Sequence, residues 1–172
     1  MSNVYVIADL HFGHKNIANF RRMAEFDDEK SHREWVINNW NRKITKRDKV
    51  IVLGDACFTE EALEGISRLN GNKVLIHGNH DTLGASKYLT VFSDVLGMSR
   101  NKACWLTHAP IHPDELRGKL NLHGHVHSAT INDRRYRNLS LENVIGYAPV
   151  LLYEVVQCPE KVLMSVGKAY DK

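Results

Sequence analysis

No stretch of this chain stays apolar for anything near the roughly 20 residues that a membrane-spanning helix requires, so a helical membrane protein is not expected. Cysteines are few, odd in number and far apart (Cys57, Cys104, Cys158), with no CxxC pair. That excludes a cysteine zinc site and a disulfide scaffold, and it fits reduced thiols in a cytoplasmic protein. Charge of one sign is also missing. The 23 basic and 20 acidic residues leave +3, too little by itself to argue for a nucleic-acid binder. The opening "MSNVYVIADLHFGH" has no basic n-region and its apolar run stops at Asp9, so it reads as a first strand and not as a signal peptide. Repeats, low-complexity tracts and obvious linkers are absent, and 172 residues with 43% hydrophobic content predict one globular domain over residues 1–172.

What the chain does have is histidine, ten in all. "LNLHGHVHS" sets His123, His125 and His127 at alternate positions after an apolar lead-in. One reading is a loop that happens to be rich in histidine. The other is a metal site, which needs further ligands elsewhere.

Those ligands stand at the ends of the apolar runs. "VYVIADLH" is a buried strand ending in Asp9 and His11, and "KVIVLGD" ends in Asp55. "KVLIHGNHD" ends in Asn79 and His80, and "CWLTHAP" in His108. "RNLSLE" and "VLLYEVV" are further strand candidates. Between the early strands, "DEKSHREWVINNWNRK" (residues 28–43) carries Trp35, Val36, Asn39 and Trp40 at helical spacing. "TEEALEGISRLNG" follows with Thr59 as N-cap and Gly71 past its end. The first half therefore alternates strand and helix, as in an α/β unit with parallel pairing, and the strand-rich second half predicts a mixed sheet.

Strand ends of such a sheet gather at one edge, where ligands bind. In an extended segment residues two apart point the same way, so Asp9 with His11, and His125 with His127, can each grip one centre. Asn79 and His80 are adjacent and should point apart. Two carboxylates, one amide oxygen and four imidazoles suit manganese, iron, zinc, cobalt or nickel better than calcium. Seven donors exceed the needs of one ion. They suit two divalent ions roughly 3.5–4 Å apart that share a carboxylate. Each segment alone is an ordinary turn. Five of them, each closing an apolar run, point to a dinuclear site.

In this order "DLH", "GD", "GNHD", "THAP" and "HGHVH" resemble the signature blocks of the calcineurin-like metallophosphoesterase superfamily. "HFGHKNI" and "NLSLENVIGYAPV" resemble its compact, cap-less bacterial and phage members. The resemblance implies a four-layer αββα sandwich of two mixed β-sheets flanked by helices. It also implies that Asp9, His11 and His127 hold one ion, that Asn79, His108 and His125 hold the other, and that Asp55 bridges them. His80 should face the substrate as the catalytic acid. One departure matters: "ACFTEE" follows Asp55 where the family's protein phosphatases carry Asp-Arg-Gly, which argues against that class.

The mechanism that follows is attack on phosphorus by hydroxide, made available near neutral pH because metal binding lowers the pKa of water to about 7. His80 is the candidate to protonate the leaving oxygen or to stabilise it by a hydrogen bond. His14, Asn16 and Arg22 are candidates for substrate contact, with Arg21 a weaker one. Asp81 is read as a cap for the helix after it. His123 and His77 are read as buried strand histidines, His32 as solvated, and His112 as part of a loop near the site. "RKITKR" and "RRYR" are read as solvated surface, and Trp35 and Trp40 as core.

Residues 81–107 leave no room for a large cap between His80 and His108. The expected substrates are therefore small phosphodiesters, with monoesters as a second class, of nucleotides or similar molecules, and manganese is the first-choice metal. A metal-dependent nuclease acting on DNA or RNA is the alternative. A non-catalytic interaction module, as in a retromer subunit of this family, ranks lower because the chain keeps every ligand.

Overall fold

The computed structural model describes residues 3–21 and 23–165. The chain begins with strand β1 (Val4–Ile7), then a single helical turn α1 (Ile17–Phe20) and helix α2 (Glu29–Lys43). Strand β2 (Lys49–Val52), helix α3 (Glu60–Ser67) and strand β3 (Asn72–Ile76) follow. A short α4 (Ala85–Tyr88) leads to β4 (Asp94–Leu96) and β5 (Ser99–Arg100). Then come β6 (Cys104–Leu106), β7 (Leu120–His123), β8 (Tyr136–Asn138), β9 (Val150–Leu151) and α5 (Leu152–Gln157).

The first sheet has the order β4-β3-β2-β1-β9, parallel except for the antiparallel edge strand β9. The second has the order β5-β6-β7-β8, parallel except for β5. Both sheets are mixed, with helices outside, as expected. Nearly every residue of β1 and β2 is buried, which is why they read as unbroken apolar runs and not as alternating ones. Val6, Ile7, Val52, Leu75, Leu106 and Leu122 join one apolar cluster that draws on both sheets. The sheets are also tied by backbone. Leu139 N–H donates to His123 O (2.7 Å), Ala8 N–H to Leu139 O (2.8 Å) and Leu141 N–H to Ala8 O (3.0 Å).

The two long helices start where their caps require. Asp28 accepts from the Ser31 N–H at 2.8 Å while the Ser31 hydroxyl accepts from the Asp28 N–H, a capping box. Thr59 caps α3 through the Ala62 N–H. Trp40 is fully buried and Trp35 packs on the core from its margin.

Three expectations are corrected. "VLLYEVV" is a strand only at Val150–Leu151. From Leu152 it turns helical, because Leu152, Val155 and Val156 meet the core at helical spacing, an ambiguity inherent in short apolar runs. "RNLSLE" keeps only Arg137 and Asn138 in β8, then passes between the sheets into a 3-10 turn, Leu141–Asn143. His32 is not solvated but fully buried on α2, with the Phe26 ring edge-on at 5.1 Å. Among the described residues no helix is long and apolar enough to cross a membrane, and Cys57, Cys104 and Cys158 are all free.

Candidate metal centre

The candidate ligands do converge, but not by the extended geometry that their spacing suggests. Asp9, His11, Asp55, His125 and His127 all sit in the left-handed region, with φ of 58°, 56°, 52°, 71° and 52°. Residues other than glycine rarely adopt this conformation, and each instance costs on the order of 1–3 kcal/mol. Five such residues, following β1 and β2 of the first sheet and β7 of the second, mark segments whose side chains are aimed at the expense of backbone comfort. The surrounding ladder holds them there. Asp9 N–H donates to Gly54 O (3.0 Å), His11 N–H to Asp55 O (2.9 Å) and Gly124 N–H to His108 O (2.9 Å).

Asp55 lies at the middle. Its Oδ2 is 3.7 Å from His11 Nε2 and its Oδ1 is 3.4 Å from His108 Nε2. On one side stand Asp9, His11 and His127, whose ligand atoms fall within 4.8 Å of one another. Asp9, Asp55 and His108 form an overlapping group of the same tightness. On the other side Asn79 Oδ1 meets His108 Nε2 at 2.8 Å and His125 Nδ1 at 2.9 Å, with the two imidazoles 3.2 Å apart. His108 directs Nε2 inward because its Nδ1–H donates to Leu53 O at 2.9 Å.

The donor set fits divalent cations. His11 is 4% exposed, yet neither of its ring nitrogens has a hydrogen-bond partner, and Nε2 faces both Asp9 and Asp55 at 3.7 Å. An unpartnered buried imidazole between two carboxylates is costly on its own and apt for a cation. Burial pushes His11 below its ordinary pKa against the pull of Asp9, which keeps its lone pair available. Burial raises the Asp9 carboxyl, but His11, Ser140 and His127 outweigh that and hold it below its usual value. Glu142 accepts from His127 Nδ1 at 2.8 Å and lifts His127 above its ordinary value.

His80 points elsewhere, as expected of a neighbour of Asn79. Its ring is exposed and stacks on Phe58 at 4.9 Å and 20°, while its backbone N–H donates to Asp55 Oδ1 at 2.9 Å. The His11 ring is 6.0 Å away. Beside the centre lies a cavity of about 300 Å³ lined by His11, His14, Phe20, His127 and Ser128. His14 is thus brought to the site. Asn16 is exposed at the start of α1 and does not line that cavity. Arg22 lies outside the described residues. Arg21 is buried, bonded through Nη2 to the Asp9 carbonyl and paired with Glu142, and it also lines the cavity.

Asp81 is not a helix cap. Gly84 holds the cap position of α4. The Asp81 carboxylate is fully buried and accepts from the N–H groups of Asp55 (2.8 Å), Ala56 (2.8 Å), Cys57 (3.3 Å) and Gly78 (2.9 Å). Burial lifts its pKa, which these donors oppose. His123 is buried as expected, whereas His77 is exposed and rests edge-on to Tyr88. His112 is exposed and accepts from the Asp114 N–H. "RKITKR" is exposed apart from Ile44, but Tyr136 and Arg137 of "RRYR" are buried. Glu142, Asn138 and Asn143, which surround His127, are not legible as site residues, although all three lie in the stretch "NLSLENVIGYAPV" that carries part of the resemblance.

The chain is 28% identical to an uncharacterised protein of Methanocaldococcus jannaschii over 94% of its own length and 93% of the relative's. It is 32% identical to the gene 66 protein of Mycobacterium phage L5, covering 78% of this chain and 82% of the phage protein. Its fold is similar to that of a protein of unknown function from Aquifex aeolicus, at a TM-score of 0.69 and 23% identity over 90% and 98% of the two chains. It is less similar to nuclease MPE of Pseudomonas putida, at 0.51 and 23% over 72% and 61%. The family profile of calcineurin-like phosphoesterases matches residues 2–167. With that match spanning the strand ends that carry Asp9, Asp55, Asn79, His108 and His127, the chain belongs to the calcineurin-like phosphoesterase family.

Proposed function

We propose that the chain is a metal-dependent phosphodiesterase with a dinuclear centre, a single catalytic domain over residues 1–172 that acts in the cytoplasm on nucleotides or other small phosphoesters. The observation that carries this reading is Asp55, whose two oxygens face opposite ligand groups at 3.7 and 3.4 Å. Asp9, His11 and His127 would hold one ion and Asn79, His108 and His125 the other, with Asp55 shared. Two divalent ions, manganese first and iron, zinc, cobalt or nickel as alternatives, supply Lewis acidity toward phosphoryl oxygens and acidify water.

The chain's own residues do the rest. His80 stands on the exposed rim, fixed by its backbone to Asp55 and by its ring to Phe58, and it donates a proton or hydrogen bond to the departing oxygen. His14 lines the adjoining cavity, where the organic part of a small ester fits. Phe20, 68% exposed, supplies a flat apolar wall there. Free cysteines support a reducing compartment.

A nuclease is the second reading, supported by the fold shared with nuclease MPE. The charges weigh against it. Arg21 and Arg137 are buried, and Asp133 holds Arg135 at 2.6 Å.

The test is hydrolysis of an aryl phosphodiester and an aryl phosphomonoester with Mn²⁺, after chelation, and by Asp55→Asn. Turnover that needs metal and vanishes in the variant supports the proposal, and the diester-to-monoester ratio assigns the class. Activity that survives chelation overturns it. Cleavage of DNA that falls steeply with salt, with no turnover of small esters, favours the nuclease.

A further inference from the structure

Glu142 has no part in the reading above, yet it is joined to two of the candidate ligands. It sits in the 3-10 turn Leu141–Asn143, and its side chain is 18% exposed. Its Oε1 accepts from His127 Nδ1 at 2.8 Å. That bond occupies Nδ1 and leaves Nε2 as the nitrogen free to bind a cation. It also fixes the ring plane. Its other oxygen, Oε2, lies 3.6 Å from Arg21 Nη2, and the same Nη2 donates to the backbone carbonyl of Asp9. Arg21 is 5% exposed. The backbone of His127 is held from the same segment. Its carbonyl accepts from Asn138 Nδ2 at 2.6 Å and Asn143 Nδ2 at 2.5 Å. A ligand that comes late in the chain is thus clamped by side chain and by backbone, and a buried cation ties the clamp to the first ligand.

We propose that Glu142 is the positioning residue of His127, aiming Nε2 at the ion shared with Asp9 and His11, and that Arg21 couples this carboxylate to Asp9. The inference rests on the dinuclear reading of the site. Metal-bound histidines characteristically donate their second ring N–H to a carboxylate, which fixes the tautomer and raises basicity, and removing that partner weakens metal binding about 10–100-fold. Arg21 gives the arrangement its balance. It offsets the charge of Glu142, so the carboxylate orients the imidazole without adding a competing anion beside Asp9 and Asp55.

The test titrates Mn²⁺ into the chelator-stripped chain by calorimetry, for the wild type, Glu142→Gln, Glu142→Ala and, as a marker of the other site, Asn79→Ala. Melting temperatures of the metal-free proteins are measured alongside. In Glu142→Ala one binding step should weaken by about 10–100-fold, while the step that Asn79→Ala weakens keeps its wild-type affinity. Glu142→Gln, whose amide oxygen can still accept from Nδ1, should recover part of the loss. The activity of Glu142→Ala should return when Mn²⁺ is raised. Two steps of wild-type affinity in Glu142→Ala overturn the positioning role and leave the dinuclear reading intact. So do two steps that weaken together in proportion to a lower melting temperature, the mark of a merely structural residue. A wild-type chain that takes up no Mn²⁺ overturns the dinuclear reading and this one with it.

Discussion

The Asp81 carboxylate accepts the Asp55 backbone N–H at 2.8 Å, and the same side chain takes the N–H groups of Ala56 and Gly78. One buried carboxylate therefore fixes the loop that offers Asp55 to the loop that offers Asn79. Asp81→Ala leaves these donors unsatisfied, at about 1–3 kcal/mol each. We expect the variant to lose on the order of 3 kcal/mol or more in urea unfolding and to bind Mn²⁺ more weakly. An unchanged unfolding midpoint would remove Asp81 from this role.

His80→Ala should keep its metal and lose activity. The ring touches Phe58 and none of the candidate ligands at hydrogen-bond distance, so calorimetry should show wild-type Mn²⁺ binding while kcat drops by about 10²–10⁴. Lost metal binding would instead make His80 a ligand.

At Gly54 the ring of His108, which follows β6 of the second sheet, passes close to the backbone of the first. A Cβ added there would fall 2.3 Å from His108 Nδ1, and φ is +87°. Gly54→Ala must displace His108 from the Leu53 carbonyl, so metal content should fall sharply. Gly118 has a similar φ of +77° but nothing within 4 Å. Gly118→Ala should therefore lose about 1–2 kcal/mol of stability and no metal. Equal metal loss in both variants would point to global damage.

Burial and the charges of Arg21, His11 and His14 push the His32 pKa down to about 3. Unfolded, it titrates near 6.5. Its neutral form costs nothing extra above pH 6.5. As pH falls from 6.5 toward 3 the unfolded chain gains a proton that the folded one refuses, so stability declines across that window. The metal-free protein should show this slope, and His32→Leu should flatten it in urea titrations between pH 7 and 4. A variant with an undiminished slope would assign the effect to other groups.

What could be read from the sequence was whatever lay at the end of an apolar run. β1, β2, β3, β6 and β7 are buried on both faces, so their ends were sharp, and Asp9, Asp55, Asn79, His108, His125 and His127 could be located from them. The local geometry could not. Alternate spacing suggested extended backbone at Asp9–His11 and His125–His127, whereas both pairs are left-handed, because tertiary ladders override the local preference. Asp81 followed a glycine turn and so looked like a cap, while three of its four partners lie 24 to 26 residues earlier. Strands β4 and β5 are too short and exposed to leave a pattern. Helix α5 hid inside an apolar run that served a strand for only two residues.

Leu139 and Leu141 tie β1 to the end of β7, and the same segment carries the side chains that grip His127. This sets an order on biosynthesis. A growing chain holds Asp9 through His127 before it holds the residues that seat the last of them. Pairings of such long range form slowly, and ion capture that depends on them is coupled to folding. On the dinuclear proposal, His127 is seated only once residues 138–143 have left the ribosome, which would make uptake of the ion it shares a late step of maturation.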